Sequence, residues 1–178
     1  MKKYLIILVC VLLCGCVSTK KVRNQSLEVA KFDTTNFNGN YANKADSAKH
    51  LDSYRLFGQL FPKRFPYKFL ENDSIADNSM INFHFDNKKT LIITAIENEK
   101  ILGKIRLKGK VKGNYFSVRR EIFLIPIPFY SFYEETKILL ANDKSGKLVL
   151  KIGNNNTIWI LIIGGTKYIS QSQFRKIK

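Results

Sequence analysis

Cysteine is confined to the extreme N-terminus of the chain, at Cys10, Cys14 and Cys16, and none follows among 178 residues. A disulfide framework in the body of the protein is therefore excluded. Histidine is almost as scarce, with His50 and His84 alone. That leaves little material for a transition-metal site, and none is assigned. Acidic residues are few, 14 against 30 lysines and arginines. No apolar run approaches the roughly 20 residues that a membrane-spanning helix needs. Nucleophile and phosphate-binding signatures are missing too. No serine sits in a Gly-x-Ser-x-Gly turn, and Gly164-Gly165-Thr166-Lys167 lacks the loop that precedes the lysine of a P-loop.

What is present is a chain of one-domain length with 45% apolar residues, enough to build a core and too many for general disorder. Its formal net charge of +16 has two readings. The first is attraction to an anionic surface, lipid or glycan. The second is composition bias, because lysine (23), asparagine (15) and isoleucine (20) are abundant while arginine numbers only seven. The lysines are dispersed and form no block of the kind that makes a nucleic-acid arm, so no nucleic-acid partner is expected.

The N-terminus is the strongest motif. Lys2-Lys3 is followed by an uninterrupted apolar run from Tyr4 to Leu13, then Leu13-Cys14-Gly15-Cys16. The run has the length of a signal-peptide core. Together these elements resemble the lipobox of bacterial lipoproteins. The resemblance implies cleavage after residue 15, with Cys16 as the thiol that takes the diacylglyceryl group. Two ester-linked chains and an N-acyl chain would hold the protein firmly in a membrane, where a single chain binds only marginally. Val17 stands where an aspartate would signal inner-membrane retention, which implies the outer membrane and a periplasm-facing body. Residues 16–36 are polar and mixed in charge and read as a tether, and residues 37–178 as the folded domain.

Within the domain, Leu51, Tyr54, Phe57, Leu60 and Phe61 recur at helical spacing, with Asp46 or Ser47 as cap and Pro62 as stop. Everything after Pro66 reads as strand. Ile81, Phe83 and Phe85 alternate with Asn82, His84 and Asp86. In the clearest stretch Ile101, Gly103, Ile105, Leu107, Gly109 and Val111 share one face, and Lys104, Arg106, Lys108 and Lys110 the other. Turns are expected at Gly113-Asn114, Asp143–Gly146 and Gly153–Asn156, and a break at Gly164-Gly165. The pattern predicts an all-β domain with one short helix, an antiparallel meander closing into an up-and-down barrel, with a β-sandwich or half-barrel as the alternative. Gly39-Asn40-Tyr41, followed by a helix and a meander, resembles the lipocalin-like fold, in which Gly-x-Trp opens the first strand. The family also places a basic residue over that aromatic ring, which makes Arg175 the candidate here.

Candidate sites follow from these patterns. Glycine at 103 and 109 on an apolar face either leaves space for a ligand or permits curvature. Pro126 and Pro128 confine Ile125–Tyr133 to an edge or rim, so Phe129, Tyr130, Phe132 and Tyr133, with Gly103, Ile105 and Leu107, are the candidate lining of an apolar pocket. Lys104, Arg106, Lys108 and Lys110 are the candidate anionic-surface stripe. Asp33-Thr34-Thr35, Asp46-Ser47-Ala48 and Asp73-Ser74-Ile75 resemble an O-glycosylation acceptor of exported bacterial proteins, giving Thr34, Ser47 and Ser74, although such dipeptides also make ordinary caps and turns. His84 with Asp86 is the one pairing that could orient an imidazole, and no catalytic residue or cofactor is assigned. Two functions remain open: a lipid-anchored barrel that holds an apolar or amphipathic molecule, or an interaction lipoprotein with a filled core, in envelope assembly or toxin immunity.

Overall fold

The structure is a computed structural model that describes residues 28–48, 55–60, 75–124, 130–160 and 162–177. Cys16, Ser74 and Phe129 lie outside the described residues. So do the signal segment, His50, and Leu51, Tyr54 and Phe61 of the expected helix. Among the described residues two short helices, α1 (Thr34–Phe37) and α2 (Leu56–Leu60), accompany eleven strands. The strands are β1 (Gly39–Ala42), β2 (Ser47–Ala48), β3 (Met80–Asn87), β4 (Thr90–Glu97), β5 (Lys100–Lys108), β6 (Lys110–Lys112), β7 (Tyr115–Leu124), β8 (Tyr130–Asn142), β9 (Leu148–Ile160), β10 (Ile162–Phe174) and β11 (Lys176–Ile177). The protein is all-β and antiparallel throughout.

Hydrogen bonding divides the strands into two sheets, ordered β11-β1-β3-β4-β5 and β2-β10-β9-β8-β7-β6. The ladders of the described residues do not join into one closed barrel, so the up-and-down barrel gives way to two sheets over a shared core. The strand order is nonetheless circular. Gly109 alone separates β5 from β6, and Arg175 alone separates β10 from β11, so the chain passes between the sheets at two bends. At the first bend the Gly109 N–H bonds to Lys89 O, and a Cβ on Gly109 would lie 2.6 Å from the carbonyl oxygen of Ser117. Only glycine fits that approach, and there the strand exchanges β4 for β7 as its partner.

Phe37, Tyr41, Phe83, Phe85 and Phe116 fill the space between the sheets at the end near α1, with Phe32 packed against them. Ile93, Ile105, Leu107, Ile138, Leu150 and Ile152 continue the core along the strands. Residues placed in the tether by sequence already belong to this body. Val29 bridges to Asp143, the Ala30 N–H bonds to Asn142 O at 2.8 Å, and Asp33 caps α1.

Three local expectations are corrected. Gly153–Asn156 does not turn and Gly164-Gly165 does not break a strand. Both segments run straight through β9 and β10, which pair with each other at thirteen positions, and Gly153–Asn156 pair on their other side with β8. Ladder pairing overrides the turn composition. Asp46 and Ser47 do not cap a helix. Ser47 is in β2, while the Asp46 N–H bonds to Gln173 O. The first N–H groups of α2 are satisfied instead by Asn43, whose backbone oxygen accepts from Leu56 N–H and whose Oδ1 accepts from Phe57 N–H. Ile101 does not share the inner face. Ala95 pairs with Gly103 but Ile96 with Ile101, so Leu102 is a bulge that turns Ile101 to the outside, 69% exposed.

Candidate functional site

The base of the molecule carries the most specific constellation. The Tyr41 ring is fully buried, its hydroxyl donates to Phe37 O at 2.8 Å, and it accepts from Asn142 Nδ2 at 3.0 Å. Burial pushes the Tyr41 pKa up, with the Asn142 hydrogen bond acting against it. The Lys176 ammonium stands 5.7 Å from the Tyr41 ring centroid and donates to Asn36 O at 2.6 Å. That is cation–π distance. A Cβ on Gly39 would lie 2.8 Å from Lys176 Cε, so the glycine of Gly39-Asn40-Tyr41 is what admits the lysine stem. The basic residue over the aromatic is thus Lys176 rather than Arg175. The strand bends at Arg175, which leaves that side chain exposed and delivers its neighbour to the ring. Beside this group lies a cavity of about 280 Å³, lined in part by Lys31, Asp33, Asn142 and Lys176. Its lining is polar and it is remote from the expected apolar pocket.

The expected pocket wall is occupied by protein. A Cβ on Gly103 would meet the Phe57 ring at 2.9 Å, so the space left by the missing side chain is filled from α2. Ile105 and Leu107 are 5% and 4% exposed and belong to the shared core. Both glycines receive an aromatic ring, Phe57 at Gly103 and Phe116 at Gly109, and Gly109 also bends the strand. Tyr130, Phe132 and Tyr133 lie in β8, opposite Ile160, Ile158 and Thr157 of β9.

On the outer face of the first sheet, Lys104, Arg106 and Lys108 are exposed, and Lys110 continues the line past the bend. Arg106 is engaged by Asp86 at 2.9 Å. The Asp86 carboxylate therefore serves a guanidinium, and His84 stands exposed on the same face. Among the described residues no three His, Cys, Asp or Glu side chains are grouped to hold a metal ion. Nor is any helix among them long and apolar enough to cross a membrane. The two described glycosylation candidates have structural partners nearby. Thr34 opens α1 behind the Asp33 cap, which also accepts from the Thr35 hydroxyl at 2.6 Å. The Ser47 hydroxyl donates to Gln173 Oε1 at 3.1 Å.

Two features escaped the sequence patterns. Asn43 is fully buried, and besides satisfying the first N–H groups of α2 it donates through Nδ2 to Ala76 O at 2.9 Å and through its N–H to Ser79 O. It joins the end of β1, the helix and the turn before β3. On the second sheet, on the side away from the shared core, Glu135 is buried between Arg119 and Lys137, both at 2.9 Å, and Lys151 is buried beside the Tyr115 hydroxyl at 3.2 Å. A lone charge inside the apolar run Leu148–Ile152 was the available signal for Lys151. Comparison with known proteins returns no match: neither a protein-family model, a curated protein nor a solved structure resembles this chain.

Proposed function

We propose that this chain is a lipid-anchored, non-enzymatic interaction lipoprotein of the cell envelope, held in the outer membrane through Cys16 and presenting a solid, lipocalin-like β-body to the periplasm. The observation that carries the interaction reading is the Phe57 ring seated on Gly103. It fills the interior at the position where a carrier of apolar molecules would need space. The lipocalin-like reading is supported by the circular strand order and by the grouping of Gly39, Tyr41 and Lys176 at the base. The lipoprotein reading rests on Leu13-Cys14-Gly15-Cys16.

One experiment tests both halves. Native mass spectrometry of the protein taken from its own membrane should give the acylated chain with no stoichiometric apolar ligand. A retained small molecule would return the carrier reading. Cys16→Ala should leave an unprocessed precursor that does not label with a palmitate analogue, and equal labelling of the variant would remove the anchor.

A further inference from the structure

The described turns fall at two ends of the molecule, and the two ends differ in charge. At the base lie the Lys88-Lys89 turn from β3 to β4, the Gly113-Asn114 turn from β6 to β7, and residues 143–147 from β8 to β9. Contacts hold them together. The Phe85 and Phe116 ring centroids are 5.0 Å apart, the Gly109 N–H bonds to Lys89 O, and the polar cavity joins Asn36 and Lys176 to Asp143. The turn from β4 to β5 is at the other end, beyond the eight residues of β4, or about 26 Å away. It carries Glu97 and Glu99 against Lys100.

Cations prevail at the base. Lys88 and Lys89 are exposed on one turn, Lys108, Lys110 and Lys112 along the bend into the next, and Lys31 on the segment that enters the body. Among the described residues none of these six has an acidic partner. The carboxylates of the same end are already engaged. Glu28 pairs with Lys144, Asp46 with Lys147 and Asp86 with Arg106. Asp33 accepts from the Thr35 N–H and hydroxyl, and Asp143 from the N–H groups of Ser145 and Lys147. Arg175 adds another exposed cation, and Lys176 is held over the Tyr41 ring. The chain also enters the body here, since Val29 bridges to Asp143.

We infer that the base is the face by which the body rests on the anionic lipid head groups of the bilayer that holds Cys16, with its lysine ammonium groups against lipid phosphates and the acidic β4–β5 turn directed away. The inference rests on the anchored reading for the choice of bilayer. Covalent attachment at this end supplies the proximity, because a tethered surface meets its partner at a high effective concentration. The lysines then supply the orientation, each one near an anionic surface favouring the bound state about fivefold. A second copy of the chain does not suit this face, since a symmetric pair would set the same cations against each other.

Because no cysteine follows Cys16, one introduced thiol takes one fluorescent label in the acylated mature chain. Asn114→Cys marks the base and Ile101→Cys the far turn, both at exposed positions. Each chain is placed in phosphatidylglycerol nanodiscs in which a fraction of the head groups carries a quencher. Quenching at position 114 should exceed that at position 101 severalfold. The excess should collapse in phosphatidylcholine nanodiscs and in 1 M salt, where the screening length falls to about 3 Å. It should also collapse when Lys31, Lys88, Lys89 and Lys112 are changed to glutamine. Equal quenching at the two positions overturns the inference and leaves the cations to an acidic protein partner. An excess that survives salt, phosphatidylcholine or the four substitutions overturns it as well, because attachment alone would then orient the body. Failure of the anchor is distinct: it shows as an unacylated mass of the Cys16 peptide from the same preparation, and it would overturn the choice of bilayer.

Discussion

The first sheet has one wet face and the second largely does not. In β3 and β5, buried Ile81, Phe83, Ile105 and Leu107 alternate with polar or charged residues that meet solvent, and in β4 buried Leu91 and Ile93 alternate with half-buried Ile92 and Thr94. The ion pair of Asp86 with Arg106 across its outer face is exposed on both sides. In the second sheet, Tyr115, Leu139 and Ala141 are buried on the face away from the shared core, with Val29 and Ile169 packed on them. Glu135, Lys137 and Lys151 are buried on that same face. A strand covered on one side has to alternate, and a strand covered on both is free of that rule. The same element type is therefore stabilised in two ways, by solvation of its charges in one sheet and by pairing of its charges in the other.

The largest effect expected from this contrast is at Glu135. Replacement by leucine leaves Lys137 and Arg119 without their carboxylate, one of them buried, and should destabilise by about 3–5 kcal/mol in urea unfolding. Asp86→Asn removes the matching pair from the first sheet and should cost less than about 1 kcal/mol. Equal losses would erase the distinction between the sheets. Gly103→Val comes next, at about 1–3 kcal/mol, because a Cβ meets the Phe57 ring. Trimming the ring with Phe57→Leu in the same chain should recover part of the loss, a coupling visible in a double-mutant cycle.

A third effect is a slope in pH. Burial pushes the Lys151 pKa down. Between that lowered value and the ordinary lysine value of about 10.4, the unfolded chain holds a proton that the folded chain has released, so stability rises with pH across this window. Below the window both states are protonated and the cost of the buried charge is constant. Lys151→Met should remove the rise. Taking the difference between parent and variant cancels the opposite trend from Tyr41, whose raised pKa withdraws stability above about pH 10.

The smallest effect on stability belongs to the stripe. Changing Lys104, Arg106, Lys108 and Lys110 to glutamine should cost under about 0.5 kcal/mol each while abolishing any salt-sensitive binding to anionic vesicles. Vesicle binding equal to the parent would make the stripe a merely solvated face. Unfolding would mean that the stripe faces inward.

The same contrast marks where the sequence was readable. In β3 to β5 the period-two pattern is imposed by water on one side, so Ile105 and Leu107 inward with Lys104 and Arg106 outward could be read directly. The pattern failed at Ile101 because a single extra residue at Leu102 reverses the face, and a bulge has no signature of its own in composition. In β9 and β10, Gly153–Asn156 and Gly164-Gly165 carried turn composition, yet the ladder between the two strands holds both extended, with β8 as a second partner for Gly153–Asn156. Of the proposed pocket lining, Gly103 was correctly singled out as anomalous, but what filled the gap came from Phe57, 46 positions earlier in the chain and invisible to any local pattern. The base followed the same logic. The glycine and the aromatic of the first strand were legible, and the choice between Arg175 and Lys176 was decided by a bend.

That base has a consequence in time. Lys176 reaches Asn36 across 140 positions of sequence, and β11 closes on β1 only two residues beyond the bend. Nearly the whole chain must therefore emerge before the first strand acquires its second neighbour and the buried tyrosine its cation. Until then β1 has one ladder, to β3, and an open edge. A fold whose first and last described strands complete each other stays unlocked while the strands between them are made. Delay is built into the topology, since the residue that clasps the first strand lies 140 positions downstream of the one it fastens.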